Sequence, residues 1–294
     1  MANITNGLGQ TKVGVRPQSA PATSYLLDTY SGAAAAYSLR KLRTAYAGNA
    51  IRVRRSSDNT SQDIGFDVNG TLDTTSMLSF VGAGNGFVSI WYDQSGNGNN
   101  QSSTTLIRQP QIVNNGSLIT QNSKPALYFS NNIMQSGRVF STSNFSIFST
   151  LSGPQNQGDV VLLCQHTGNV DVGRTVFISP GNGVATYNKL STFFNNGVSR
   201  AIISTNDVFT NQLKLVNITS NGSGTTTQFV NSTQEGQLTG QTWTPINTVT
   251  TLGALGNSAN FYTGYVGELV MYTTNQLTNR TGIESNINSF YSIY

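Results

Sequence analysis

The sequence predicts an all-β fold, an antiparallel sandwich, and three observations predict it. Short apolar runs of four to eight residues recur along the chain, the length range of strands and shorter than an ordinary helix. Asn-Gly pairs fall between many of them, at 69–70, 85–86, 115–116, 182–183, 196–197 and 221–222. Both residue types accept the positive φ that tight hairpin turns require. Finally, no shift of composition and no fixed-period repeat divides residues 25–294, so one sandwich domain is expected over that span.

The elements are read in chain order. Residues 1–24 are polar, carry Pro17 and Pro21 and lack hydrophobic periodicity, which predicts an extended docking arm. The stretch "SGAAAAYSLRKLRTAYAG", with its alanine run, Leu39 and Leu42, predicts a short helix stopped at Gly48. Ile51-Arg52-Val53-Arg54 then alternates apolar and basic residues, the period of a half-buried strand. Further strands are expected at 64–68, 87–92, 126–129, 145–151, 160–163, 175–178, 191–194, 201–204, 213–218, 227–230 and 266–272. At the end, Ile283, Ile287 and Phe290 share one stripe of a helix, with Thr278 or Asn279 placed to cap it.

Composition narrows the function. Only 10% of residues are charged and the formal charge is +4; a surface so poor in charge repels its neighbours weakly. Six of the sixteen basic residues lie between Arg40 and Arg55, but they are not continued into the stripe with exposed aromatics that a nucleic-acid face needs. No nucleic-acid partner is expected. No run approaches a membrane span, and the N-terminus has no apolar signal core, so no membrane partner is expected either. Cys164 and His166 are the sole cysteine and histidine, which excludes Cys-based and multi-His metal sites. The apolar "VVLLC" ahead of them predicts a buried thiol. No cofactor is implied.

The segment "FVSIWYDQSGNGNN" is the most distinctive. It lacks the lysine of a phosphate loop. Asp93, Ser95 and Asn97 match positions 1, 3 and 5 of a calcium loop, with Gly98 at position 6, but Thr104 stands where a bidentate glutamate is needed. A turn explains it more simply, with Asp93 accepting backbone amides while Gly96 and Gly98 adopt positive φ.

"AAYSLRKLRTAYAGNAIRVRRSSD", "DIGFDVNGTLD" and "WYDQSGNGN" resemble the α-L-arabinofuranosidase B catalytic-domain family, and the ending from Leu252 resembles the close of laminin-G-like sandwiches. The resemblance implies a concanavalin-like jelly roll with a short N-terminal and a C-terminal helix, a domain also carried by bacteriophage structural proteins. In the fungal enzymes it implies retaining hydrolysis by a glutamate nucleophile and an aspartate acid/base. Here the nucleophile's place falls near Val176 and the acid's on Asn257, and the vicinal cysteine pair of that family is missing. The remaining acids near the site are Asp159, Asp171, Asp207, Glu235 and Glu268, the last expected to be exposed and structural.

The expectation drawn is therefore a non-catalytic virion protein: a capsid-decorating, head-fibre or tail-associated subunit. It would bind other virion proteins through its arm, form a homo-oligomer, first a trimer, and display the sandwich to host-surface polysaccharide. One alternative is a carbohydrate-binding module using Tyr92, Asp93, Asn97, Trp243 and Asn257, residues of loop position and sugar-binding type. The other is an active arabinofuranosidase-like hydrolase.

Overall fold

The computed structural model describes residues 25–155, 160–166, 174–180, 188–195, 199–240, 247–255 and 260–294. Residues 1–24, where an arm was expected, fall outside them. The strands are β1 Ala33–Ser38, β2 Ile51–Arg55, β3 Ser61–Ile64, β4 Gly86–Trp91, β5 Gln101–Ser102, β6 Gln111–Asn114, β7 Ser117–Leu118, β8 Thr120–Gln121, β9 Lys124–Pro125, β10 Leu127–Ser130 and β11 Met134–Ser136. They continue with β12 Asn144–Ser152, β13 Leu163–His166, β14 Arg174–Pro180, β15 Lys189–Asn195, β16 Ser199–Asp207, β17 Lys214–Asn221, β18 Thr226–Val230, β19 Thr233–Leu238, β20 Thr250–Leu252 and β21 Thr263–Tyr272. The helices are α1 Leu26–Thr29, α2 Thr74–Val81 and α3 Arg280–Tyr291.

The named ladders are antiparallel, and following them gives two layers. One runs β19-β18-β17-β12-β21-β1. The other runs β3-β2-β4-β5-β11-β20-β13-β14-β15-β16. Strand β10 joins them, pairing with β21 on one side and β6 on the other. This is the predicted all-β sandwich. The main core fills the space between the layers, with Tyr37, Trp91, Phe129, Phe145, Ile147, Leu269 and Met271 in it.

The first layer is buried on its outer face as well. There Ala33, Ala36, Phe148, Val270 and Tyr272 meet Leu26 and Leu27 of α1 and Ile283, Ile287 and Tyr291 of α3. Two buried faces explain why β12 and β21 are buried at consecutive positions and not at alternate ones. The C-terminal helix lies where its stripe predicted, after Asn279, although that side chain makes no cap bond to the helix.

The alanine run is a strand, correcting the expected helix. Alanine favours a helix by only tenths of a kcal/mol per residue, and burial on both faces outweighs that preference. Small side chains let α1 and α3 approach the sheet closely over Ala33 and Ala36. The N-terminal helix is instead the single turn α1, and α2, capped by Asp73 through the Ser76 amide, was not foreseen. Of the Asn-Gly signals, 115–116 forms the β6–β7 hairpin with both residues at positive φ, 46° and 74°.

Candidate functional site

The distinctive loop after β4 is bound along the outer edge of β1. Asp93 Oδ1 accepts the Ala36 amide at 2.8 Å and the Ser95 amide at 2.9 Å; Oδ2 accepts the Ser95 hydroxyl at 2.7 Å and the Asn99 amide at 3.0 Å. Gln94 donates its amide to Ala36 O at 2.8 Å. Its side chain reaches Ser38 O at 3.1 Å and Arg40 O at 3.0 Å. Asn97 Nδ2 donates to Ala33 O and Ala34 O, and Asn99 Nδ2 to Ala34 O. Gly96 and Gly98 take φ of 96° and 75°. Both oxygens of Asp93 are thus occupied by donors of the chain itself, and the loop supplies the hydrogen bonds that a further strand would have made to β1.

The residues named for sugar binding are not gathered into one site. Asp93 is buried beneath the loop and Asn97 is spent on the β1 carbonyls. Tyr92 donates to Asp63 Oδ1 at 2.7 Å. That same carboxylate takes both ends of the Arg52 guanidinium at 2.8 Å, which holds the Asp63 pKa down, whereas burial and the Asp63 carboxylate push the Tyr92 hydroxyl up to about 12. Trp243 and Asn257 lie outside the described residues.

Glycoside hydrolysis requires two carboxyl groups, so the acids decide what this arrangement can do. Ten of the twelve are described. Asp58 binds Arg55 and Thr60, Asp67 and Asp73 close turns through neighbouring amides and hydroxyls, and Asp28 holds Thr44. Glu284 is bonded to Arg280 and Ser232. Asp58, Asp63, Asp67 and Asp73 all have lowered pKa values, each with donors that favour the ionised form; a general acid needs the reverse.

Glu268 was expected at the surface and is instead fully buried. Oε2 accepts Ser38 Oγ at 2.7 Å and Arg40 Nε at 2.8 Å, while Oε1 accepts Arg40 Nη2 at 2.9 Å. Arg40 continues to Asn286 of α3 at 2.9 Å and lies over the Phe290 ring. The pair ties β1 and β21 to α3. No pattern in "YVGELVMY" reveals this, because the second buried face comes from a helix outside the segment.

Glu235 and Asp207, two of the acids named above, lie on the contacting strands β19 and β16. Glu235 accepts the Asn206 amide and the Asn206 Nδ2, each at 2.9 Å. Successive strand residues point to opposite faces, so Asp207, next to Asn206, faces away and meets Lys189 at 3.4 Å. They do not oppose each other across a cleft. Cys164 is buried, as expected, with its thiol donating to Ala254 O at 3.3 Å. Among the described residues, no group of three His, Cys, Asp or Glu is placed to hold a metal, and no helix is long and apolar enough to cross a membrane.

The family described as "Alpha-L-arabinofuranosidase B, catalytic" matches residues 27–137. No curated protein matches the chain in sequence. Among solved structures, an arabinofuranosidase complexed with arabinofuranosyl-α-1,2-xylobiose superposes with a TM-score of 0.63 at 14% identity, covering 87% of this chain and 62% of that one. A GH54 α-L-arabinofuranosidase soaked with a cyclic sulfate inhibitor gives 0.65 at 15% identity and the same coverage. The binding domain of Paraclostridial Mosquitocidal Protein 1 gives 0.51 at 16%, over 68% of this chain and 49% of that one. The chain spans 62% of the length of the two arabinofuranosidases.

These matches overturn the expectation of a non-catalytic virion subunit. The matching family is that of a catalytic domain, the strongest likenesses described are to arabinofuranosidases, and nothing in these matches speaks for a phage particle. The inference from lost carboxylates rested on Val176 and Asn257, whose side chains lie outside the described ones.

Proposed function

We propose that the chain is a glycoside hydrolase domain of the α-L-arabinofuranosidase kind, cleaving a terminal arabinofuranosyl unit. The observation that carries this reading is the catalytic-domain match over residues 27–137; a sandwich that superposes on arabinofuranosidases over 87% of the chain supports it. With the described acids engaged in structural bonds, proton transfer and attack at the anomeric carbon fall to Asp159 and Asp171. In sequence these flank β13, in the connections from β12 and to β14.

The chemistry asks for one carboxylic acid to protonate the leaving oxygen. A second group, a carboxylate, attacks the anomeric carbon or activates water, at a separation of about 5–5.5 Å for retention and about 6.5–9.5 Å for inversion. The test is hydrolysis of 4-nitrophenyl α-L-arabinofuranoside. The protein should release nitrophenolate, and Asp159→Asn and Asp171→Asn should each lower kcat by about 10²–10⁴-fold. Asp207→Asn should leave it unchanged. No turnover by the unmodified protein, or full activity in both variants, overturns the reading.

A further inference from the structure

A second site is built around Arg54. Two arginines of the described chain are buried, Arg40 and Arg54. Arg40 has Glu268, but the bonds of Arg54 go to neutral acceptors: Nε to Gln109 Oε1 at 2.7 Å, Nη1 to Asn59 Oδ1 at 2.7 Å and Nη2 to the Leu106 carbonyl at 3.2 Å. Burial pushes its pKa down with no carboxylate acting in the other direction. A guanidinium has five N–H donors, so one remains on each terminal nitrogen. The residue is 7% exposed, and a cation taken so far from water without a counter-charge is costly.

This cation lines an open depression of about 380 Å³, within the size range of small-ligand sites. The aromatic rings of Phe87 and Tyr128 line it too, with Arg54 stacked on Phe87 at 4.7 Å and Tyr128 held against Tyr265 at 4.9 Å. Gln111 and Asn132 also border it, their amide nitrogens donating to the Val113 and Gln109 carbonyls, and Ile107, 80% exposed, forms an apolar lip. An aromatic face packs on the C–H face of a sugar ring, amides bond hydroxyls, and an unpaired buried guanidinium calls for an anion of planar, two-oxygen geometry.

We propose that this depression binds a uronic acid unit of an acidic polysaccharide, its carboxylate on Arg54 and its ring against Phe87 and Tyr128. That the carboxylate is carried by a sugar rests on the reading of the chain as a carbohydrate-active domain. Its test reads binding and not turnover, through residues given no part in hydrolysis, so either reading can fail alone.

The experiment titrates the full chain by calorimetry with trigalacturonic acid, with its carboxyl-reduced neutral counterpart, with acetate and with a short polyglutamate peptide. Trigalacturonic acid should bind saturably and more weakly as salt rises. The neutral trisaccharide, acetate and the peptide should each bind at least tenfold more weakly. Arg54→Gln should reduce affinity for trigalacturonic acid at least tenfold. Because Arg54 also holds Gln109, Asn59 and Leu106, Tyr128→Ala, at a half-buried wall position, provides a second measure and should cost several-fold with the circular dichroism spectrum retained. Absence of binding, equal affinity for any of the three comparison ligands, or unaltered affinity in a folded Tyr128→Ala protein overturns the proposal.

Discussion

Glu268 and Arg40 show what a single pair of side chains decides. Two full charges sit beneath α3 with the carboxylate wholly out of water, and such a pair is stable only while each partner answers the other. Glu268→Ala should therefore cost about 3–5 kcal/mol in urea unfolding, by stranding the guanidinium. Replacing both together, Glu268→Leu with Arg40→Met, should recover most of that loss, since an apolar pair of similar volume pays no desolvation. A double variant as unstable as the single one would refute this account. The sequence concealed the pair because exposed glutamate is the common case, and the burial comes from a helix that begins twelve residues later in the chain, at Arg280.

At the scale of elements, the loop from Asp93 to Asn99 and the strand β1 act as one unit. The other edge of β1 is taken by β21, and the loop satisfies the outward edge without being a strand. Unpaired strand edges recruit other chains, so removing the loop's anchor should both destabilise and expose. Asp93→Ala deletes acceptors for four donors; a hydrogen bond to a charged group is worth a net of about 1.5–3 kcal/mol, and water entering the opened loop replaces part of the set. A loss of about 3 kcal/mol with concentration-dependent association in light scattering is expected; a stable, monodisperse variant would show that the edge is protected otherwise. The turn itself was legible from glycine and asparagine at fixed places. Its partner was not, because the alanines carry a helical preference that only the double burial of β1 overrides, and because two- and three-residue strands such as β5 and β11 are too short to show a period. The acids proposed for hydrolysis, Asp159 and Asp171, were among five that the sequence offered; choosing between them depends on which carboxyls the fold already uses, and that is a property of contacts between distant segments.

For the molecule as a whole, β21 is the strand on which closure depends. Its register joins β1 and β12, and its first residues pair with β10, which leads to the second layer. Contacts between β1 and β21 span more than two hundred residues of sequence, as Ser38 and Glu268 do, and pairings of such separation slow folding because loop closure is paid before they form. A chain ending before Thr263 lacks the centre of one layer and the helix that covers it. It should give no cooperative thermal transition, whereas the full chain should give one; a cooperative transition in the shortened chain would mean that the layers hold together without β21.

The position of β21 also has a consequence for synthesis. A ribosome that has translated this chain only as far as Tyr262 has produced two unfinished half-layers and no sandwich, since the strand between β1 and β12 is still to come. Until Tyr272 has cleared the exit tunnel, the nascent polypeptide presents the apolar inner faces of both halves to its surroundings. Nascent-chain binders have a long opportunity on this protein before β21 is made, and a nonsense codon just ahead of Thr263 would be as damaging as an early one.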